Sequence, residues 1–459
     1  MRIRYIPAAI LLLGLASPEL RGLDGDLDPT FWSDGSVLLG GSGFFEVTAL
    51  LSAPDGRLVV TGSHRASLDG AREWFWRRVD DNSADAFCFF PFPGATTATS
   101  SAAAFDGAGG LLLAGDAVYS GTPRLAAARF AYPACTLDDS FDGDGYWTLD
   151  IAGGQERLRA VAISDSGEVA FGGVYDPAAG SRDLLVVLTS SSGALEPSFS
   201  GNGWLIFDPS AAGLLDEVVG IVFDSAGRVV VGGTTLFGDA DGGDDWMVTR
   251  FTPAGDPDGS FDGDGVARVA FDLESPSAQR DVLRAMAIDP NGGEIVLAGA
   301  AESDSGYDSA LARLLPSGAP DVSFSGDGKL NTSLSGARSE LKAVAVDGLG
   351  RIYASGFRAP PNLNTDFVAL RTTAAGALDA SFSTDGWTTL GFDVNPPNVF
   401  DSSTAAALDD GRWAVAGEVQ VNDGATYRPG LGRFEVALIF ADGVESGGAG
   451  QWSSSVGLP

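Results

Sequence analysis

Carboxylates dominate the chemistry this chain can offer: 61 Asp and Glu stand against 28 Lys and Arg. Alternating acids hold hard cations, and two facing acids hydrolyse glycosidic bonds. The runs Asp142-Gly143-Asp144-Gly145 and Asp262-Gly263-Asp264-Gly265 have the spacing of part of a calcium loop. Equivalent positions elsewhere hold Ser200, Ser325 and Ser383 in the first slot and Asn202 in the second. No Asp-x-Asp-x-Asp-Gly with a downstream Glu occurs. Asp and Gly serve turns for conformational reasons alone, so these runs are read as turns, and no metal or other cofactor is assigned.

The remaining inventory is thin. His64, in Ser63-His64-Arg65, is the sole histidine, so any triad or His-metal site would depend on it, and no nucleophile motif points to it. There is no phosphate loop and no dinucleotide fingerprint. Trp147, Trp204 and Trp387 fall just after a recurring turn in three repeats, where rings either stack on sugars or pack in a core. Arg78, Arg129, Arg250, Arg313 and Arg371 each precede an acid, respectively Asp85, Asp138, Asp258, Asp321 and Asp379. Repeated structural ion pairs explain them more simply than a ring of ligands. Where Leu188 replaces Arg, the acid survives as Glu196. No pair of acids stands out as breaking the repeat, so no catalytic residue is assigned.

The elements that position these residues are repeats. A turn, Ser-Phe-x-x-x-Gly, begins at Ser140, Ser198, Ser260, Ser323 and Ser381, 58 to 63 residues apart. Thr30-Phe31-Trp32-Ser33-Asp34-Gly35 is an earlier copy, and Ser83-Ala84-Asp85-Ala86-Phe87-Cys88 a degenerate one. About twenty residues after each turn comes an apolar run, an Asp/Gly turn and a second run ending in Gly, such as Val344-Ala345-Val346-Asp347 with Ile352-Tyr353-Ala354-Ser355-Gly356. A third run closes the unit, as Asp366-Phe367-Val368-Ala369-Leu370-Arg371 does, though the seventh unit is read as lacking its Arg. Short β-rich runs joined by Asp/Gly turns are hairpins. Four antiparallel strands per unit and seven units between Leu27 and Phe440 predict an all-β, seven-bladed β-propeller, because one small sheet cannot cover both apolar faces by itself. The alternative is an open β-solenoid, which needs capping ends that the chain does not show. Ring closure is expected to set Phe434–Phe440 beside Val37–Leu39.

The string Leu-Asp-x-Ser-Phe, a Gly, the Asp-x-x-Gly hairpin and a strand ending in Arg resembles the delta-60 repeat family, a domain of unknown function found as propellers in secreted bacterial proteins. The likeness covers about nine-tenths of the chain and departs from the pattern at the degenerate second turn and at Leu188. It implies a propeller and carries over no catalytic residue.

Arg2 and Arg4, the apolar run from Ile6 to Leu15 and the small residues Gly14-Leu15-Ala16 predict a signal peptide over 1–16, followed by a linker over 17–26. The apolar run is short for a membrane span, and no other exists. The expected location is secreted, at the cell surface or in the periplasm. There, Cys88 and Cys135, 47 positions apart, are expected to form a disulfide worth a few kcal/mol; the alternative is two buried thiols. The propeller is assigned to 27–440 and a tail to 441–459, whose Ala441-Asp442-Gly443-Val444-Glu445-Ser446-Gly447 and Trp452 resemble a tail seen on many secreted Gram-negative proteins. A net charge of −33 repels nucleic acid and anionic lipid. The chain is therefore read as a non-catalytic binding or surface-interaction module for an extracellular ligand or protein, a glycan among the candidates. The alternative is a carbohydrate-active hydrolase with a carboxylate pair near the propeller axis.

Overall fold

The computed structural model describes residues 24–436 except 152–153, 178–180, 211–215, 238–242, 272, 274–279, 304–305, 362–363, 393–399, 410 and 422–425. The signal peptide, most of the linker and the tail expected from the sequence lie outside the described residues.

The apolar runs form 28 strands in seven four-stranded antiparallel sheets. Blade 1 is β2 (Phe44–Ser52), β3 (Leu58–Arg65), β4 (Glu73–Val79) and β5 (Cys88–Phe90). Blade 2 is β6 (Thr97–Phe105), β7 (Leu111–Tyr119), β8 (Thr122–Phe130) and β9 (Tyr146–Leu149). Blade 3 is β10 (Gly154–Ile163), β11 (Val169–Pro177), β12 (Asp183–Thr189) and β13 (Trp204–Phe207). Blade 4 is β14 (Glu217–Phe223), β15 (Val229–Leu236), β16 (Asp244–Phe251) and β17 (Val266–Val269). Blade 5 is β18 (Val282–Ile288), β19 (Ile295–Ser303), β20 (Gly306–Leu314) and β21 (Lys329–Thr332). Blade 6 is β22 (Arg338–Val346), β23 (Ile352–Ala359), β24 (Asp366–Thr372) and β25 (Trp387–Leu390). Blade 7 takes β26 (Asp401–Asp409), β27 (Arg412–Val421) and β28 (Thr426–Phe434) from the end of the chain and β1 (Ser36–Leu38) from its start.

That last sheet closes the ring. Val37 pairs with Leu431, so the early strand is the one expected, but its partner is β28 rather than Phe434–Phe440. The reason lies in the repeat: the turn at Thr30–Gly35 belongs after β28, and it bridges back through Leu27 and Phe434. The first strands of the blades, β2, β6, β10, β14, β18, β22 and β26, contact one another in a closed circle and line the axis. Buried rings fill the wedges between blades. Trp246 and Phe271 pack at 4.8 Å between blades 4 and 5, and Tyr353 and Trp413 at 5.5 Å between blades 6 and 7.

Every axial strand carries a bulge at one register. In β2 the pairs Val47–Gly62 and Ala49–Thr61 leave Thr48 unpaired. The same skip leaves out Ser101, Arg159, Val219, Arg284, Lys342 and Thr404 in the other six. The next residue is always Ala or Gly, which lets seven strands converge. The glycine opposite the bulge has a steric cause as well. A Cβ on Gly62 would meet the Glu46 carbonyl oxygen at 1.9 Å, and one on Gly356 the Glu340 carbonyl oxygen at 1.9 Å. The strand continues past this glycine, so the residue read as a strand end marks the bulge instead.

Candidate functional site

The recurrent arginines build the end of the ring that carries the Phe-turns. Arg250 Nε donates to Asp258 Oδ2 at 2.8 Å, and its Nη2 to Ser260 Oγ at 3.0 Å. Its Nη1 reaches the Pro316 carbonyl of the next blade, and the guanidinium lies 4.7 Å from the centre of the Phe261 ring. Arg129, Arg313 and Arg371 repeat the set with Asp138, Asp321 and Asp379, and Arg78 pairs with Asp85 without the hydroxyl. The seventh blade does not lack its arginine. Arg433 donates to Asp28 Oδ2 at 2.8 Å, a partner 405 residues away in the chain. The sequence concealed this pair because ring closure supplies the acid from the other terminus. In blade 3 Leu188 is buried, and the backbone bond from Glu196 N to Leu188 O persists at 3.0 Å.

The Asp-Gly-Asp-Gly runs are turns. Asp142 and Asp262 adopt positive φ, and Asp264 Oδ1 accepts the Val266 amide at 2.9 Å. Among the described residues no group of three or more His, Cys, Asp and Glu is arranged to hold a metal ion. Cys88 and Cys135 form a disulfide with Cα atoms 5.6 Å apart, tying the outer strand of blade 1 to the Phe-turn segment of blade 2. His64 is buried between Phe45 and Phe89; its Nδ1 faces Glu73 Oε1 at 3.0 Å and its Nε2 the Ser42 carbonyl at 2.9 Å. Trp147 stacks on Phe171 at 5.2 Å, and Trp204 and Trp387 pack against interblade cores. These residues are held in packing or in bonds that stabilise the ring.

The bulge positions behave differently. Thr48, Ser101, Val219 and Thr404 are uncharged, whereas Arg159, Arg284 and Lys342 carry charge. Arg284 Nε donates to Glu340 Oε1 on the next blade, and Lys342 Nζ to Ser402 Oγ at 3.1 Å on the blade after that. Thr404 Oγ1 donates to the Val47 carbonyl at 2.8 Å and closes the step to blade 1. Glu46 is paired with Arg72 at 2.6 Å. Glu418, on β27 opposite Ser402, faces the fields of Glu46, Lys342 and Arg72.

Residues 293–324 match a family model described as a domain of unknown function (DUF5122) beta-propeller. They span β19, β20 and the first two residues of the Phe-turn that follows. No curated protein matches the chain. Among solved structures it is similar to a protein of unknown function from Dyadobacter fermentans, at 12% identity and TM-score 0.47, covering 88% of this chain and 98% of that one. An ulvan lyase described as a new family of polysaccharide lyase shares 10% identity at TM-score 0.48, covering 87% and 96%. The propeller domain of a Pyrococcus furiosus protease shares 10% at TM-score 0.43, covering 88% and 100%.

The axial sector of blades 5, 6, 7 and 1 brings together Glu46, Glu340 and Glu418, acids that lie far apart in the sequence. Burial pushes the Glu418 carboxyl up to about 7, helped by the charge of Glu46. Burial likewise lowers Lys342 from the ordinary lysine range. A carboxyl poised near neutrality beside an arginine-paired carboxylate is able to donate a proton to a leaving group. On blade 2, next to this sector, burial also raises Asp116 to about 7, but Asp116 Oδ1 accepts the Leu158 amide at 2.7 Å, an interblade bond that Ser63 and Thr234 make elsewhere. The signal that locates the bulge residues in the sequence is the interior glycine of the second run, counted back across the hairpin.

Proposed function

We propose that the protein is an exported binding propeller whose ligand, a glycan, seats on the axial sector formed by blades 5, 6, 7 and 1. One observation carries this reading: at the bulge, a register fixed in all seven blades, the charged residues Arg284 and Lys342 fall on adjacent blades, with Glu340 bonded to Arg284 and Glu418 in the field of Lys342. Packing alone would be served by Thr, Ser or Val at the bulge, as in four of the blades. The recurrent turn string supports placing the chain as a diverged delta-60 repeat propeller, and the export-type N-terminus supports a location outside the cytoplasm.

A second reading, a carbohydrate-active hydrolase, is favoured by the raised Glu418 carboxyl in the field of Glu46, which is paired with Arg72. Glu418 would protonate the glycosidic oxygen, and Glu46 would serve as the carboxylate partner. A glycan array and a panel of chromogenic glycosides, each run with the parent and Glu418→Gln, separate the two. Binding without turnover supports the module. Turnover lost in Glu418→Gln with binding retained supports the hydrolase. An array with no glycan bound, and no turnover, removes both.

A further inference from the structure

The charges of the axial sector say more about the ligand than that it is polar. The chain has two lysines, Lys329 and Lys342, and one of them stands at the bulge of blade 6. Lys342 Nζ bonds to a neutral hydroxyl, Ser402 Oγ, and no carboxylate lies within 4.0 Å of it among the described residues. The two acids nearest in effect are otherwise committed: Glu340 accepts from Arg284 Nε, and Glu418 holds its proton close to neutral pH. A mostly buried ammonium without an ion pair is costly unless an anion arrives to meet it.

Arg284 supplies the second half of a cradle. Its side chain is 46% exposed, and Nε is spent on Glu340. The outer nitrogens of its planar guanidinium make no hydrogen bond among the described residues, and that edge fits two oxygens of one oxyanion. Aromatic surface adjoins the cations. The Lys342 ammonium lies 5.1 Å from the Phe357 ring, which sits 6.2 Å from Phe400, itself 37% exposed. An exposed ring linked to the Lys342 ammonium through Phe357 offers a face to a pyranose with an anionic substituent.

We infer that the ligand is an anionic saccharide, its carboxylate or sulfate held by Arg284 and Lys342 and a sugar ring resting on Phe400. This rests on the glycan-binding reading and narrows it. In a protein of charge −33, cations placed at one register on adjacent blades also give an acidic chain a local way to admit an anion.

The test is calorimetric titration of the full chain with three tetrasaccharide probes: tetragalacturonate for carboxylate, a carrageenan-derived sulfate ester, and neutral cellotetraose. Binding of either anionic probe, with cellotetraose at least tenfold weaker, supports the inference and identifies the anion. Lys342→Met and Arg284→Gln should each weaken that binding about tenfold or more, and Phe400→Ala about fivefold. Lys342→Arg, which keeps the charge, should restore most of it; a purely structural role for Lys342 would not distinguish Arg from Met in this way. Thermal midpoints within about two degrees of the parent confirm that the variants are folded. Cellotetraose binding as tightly as the anions, or anion binding untouched by both cation variants, overturns the inference while the glycan reading stands. No binding of these probes overturns the inference, and a blank glycan array beside it removes the reading beneath.

Discussion

The two ends of the ring treat the same repeat in opposite ways. Around the Phe-turns, six blades place an arginine on a carboxylate, and five of those add a hydroxyl from the turn. At the axial bulge, five residue types share seven positions, and the charged ones cluster on two adjacent blades with a third, Arg159, apart from them. The Phe-turn end meets the same steric problem in each blade, so one solution recurs: the guanidinium ties a turn to its own strand and to the next blade. The bulge solves its packing problem with the small residue that follows it and with the glycine opposite. The side chain at the bulge is thereby relieved of filling the core and is free to differ, even where it bonds to the next blade as Arg284, Lys342 and Thr404 do.

The sharpest way to break this division is at the glycine. Gly356→Ala would drive a Cβ to 1.9 Å from the Glu340 carbonyl oxygen, a backbone atom that cannot rotate away. The expected loss is about 4 kcal/mol, at the upper end for single substitutions. Gly56→Ala in a hairpin has open space around the Cβ and only a positive φ to oppose it, and should cost about 1 kcal/mol. Denaturant melts of the two variants check the ranking; equal losses would mean that the bulge does not need its glycine.

Arg371→Ala comes next. The Arg371 side chain is fully buried, with Asp379 and Asp24 each 2.8 Å away and Ser381 at 2.6 Å. Removing it leaves two carboxylates without their cation, for a loss of about 3 kcal/mol. Lys342→Met, on the axial side, should change the same melt by less than about 1 kcal/mol while weakening binding of the anionic probes about tenfold or more. A turn arginine that proves dispensable, or an axial lysine that does not, collapses the distinction between the two ends.

Much of this was legible beforehand. The Phe-turn period placed the blades because Phe31, Phe141, Phe199, Phe261, Phe324 and Phe382 are all buried plugs under their turns, and a plug tolerates little change. The arginine pairs were legible where arginine and acid are neighbours in the chain, and invisible at Arg433, whose acid is Asp28. The axial sector stayed hidden for a physical reason. Its residues come from separate strands, each ordinary in its own run, and only ring closure brings Glu46 and Glu418 into one field. The bulge had a written mark, an interior glycine in every second run, but ending the strand at that glycine erased the register on which the equivalence of Arg284 and Lys342 depends.

The dependence of the thermal midpoint on pH tests both ends in a single measurement. Hydrogen bonds from Ser260, then the charge of Arg250, hold Asp258 down at about 2, below the ordinary 3.8. Its stabilisation is complete above pH 3.8 and is lost as the pH falls toward 2, because the unfolded chain takes up the proton first. Glu418 has the opposite sign. Its carboxyl ionises near 4.5 in the unfolded chain and near 7 in the folded one, so its contribution is complete below 4.5 and is lost as the pH rises toward 7. The two ends together predict a stability maximum close to pH 4. Asp258→Asn should flatten the acidic limb alone, and Glu418→Gln should make the limb between pH 4.5 and 7 shallower without touching the other. The limb will not vanish, because burial also raises Asp116, Glu156 and Asp216 to about 7 and they titrate in the same direction. A Glu418→Gln profile superimposable on the parent between pH 4.5 and 7 would mean that Glu418 is ionised throughout, and the field of an ionised Glu418 would compensate the charge of Lys342 in place of an anionic sugar.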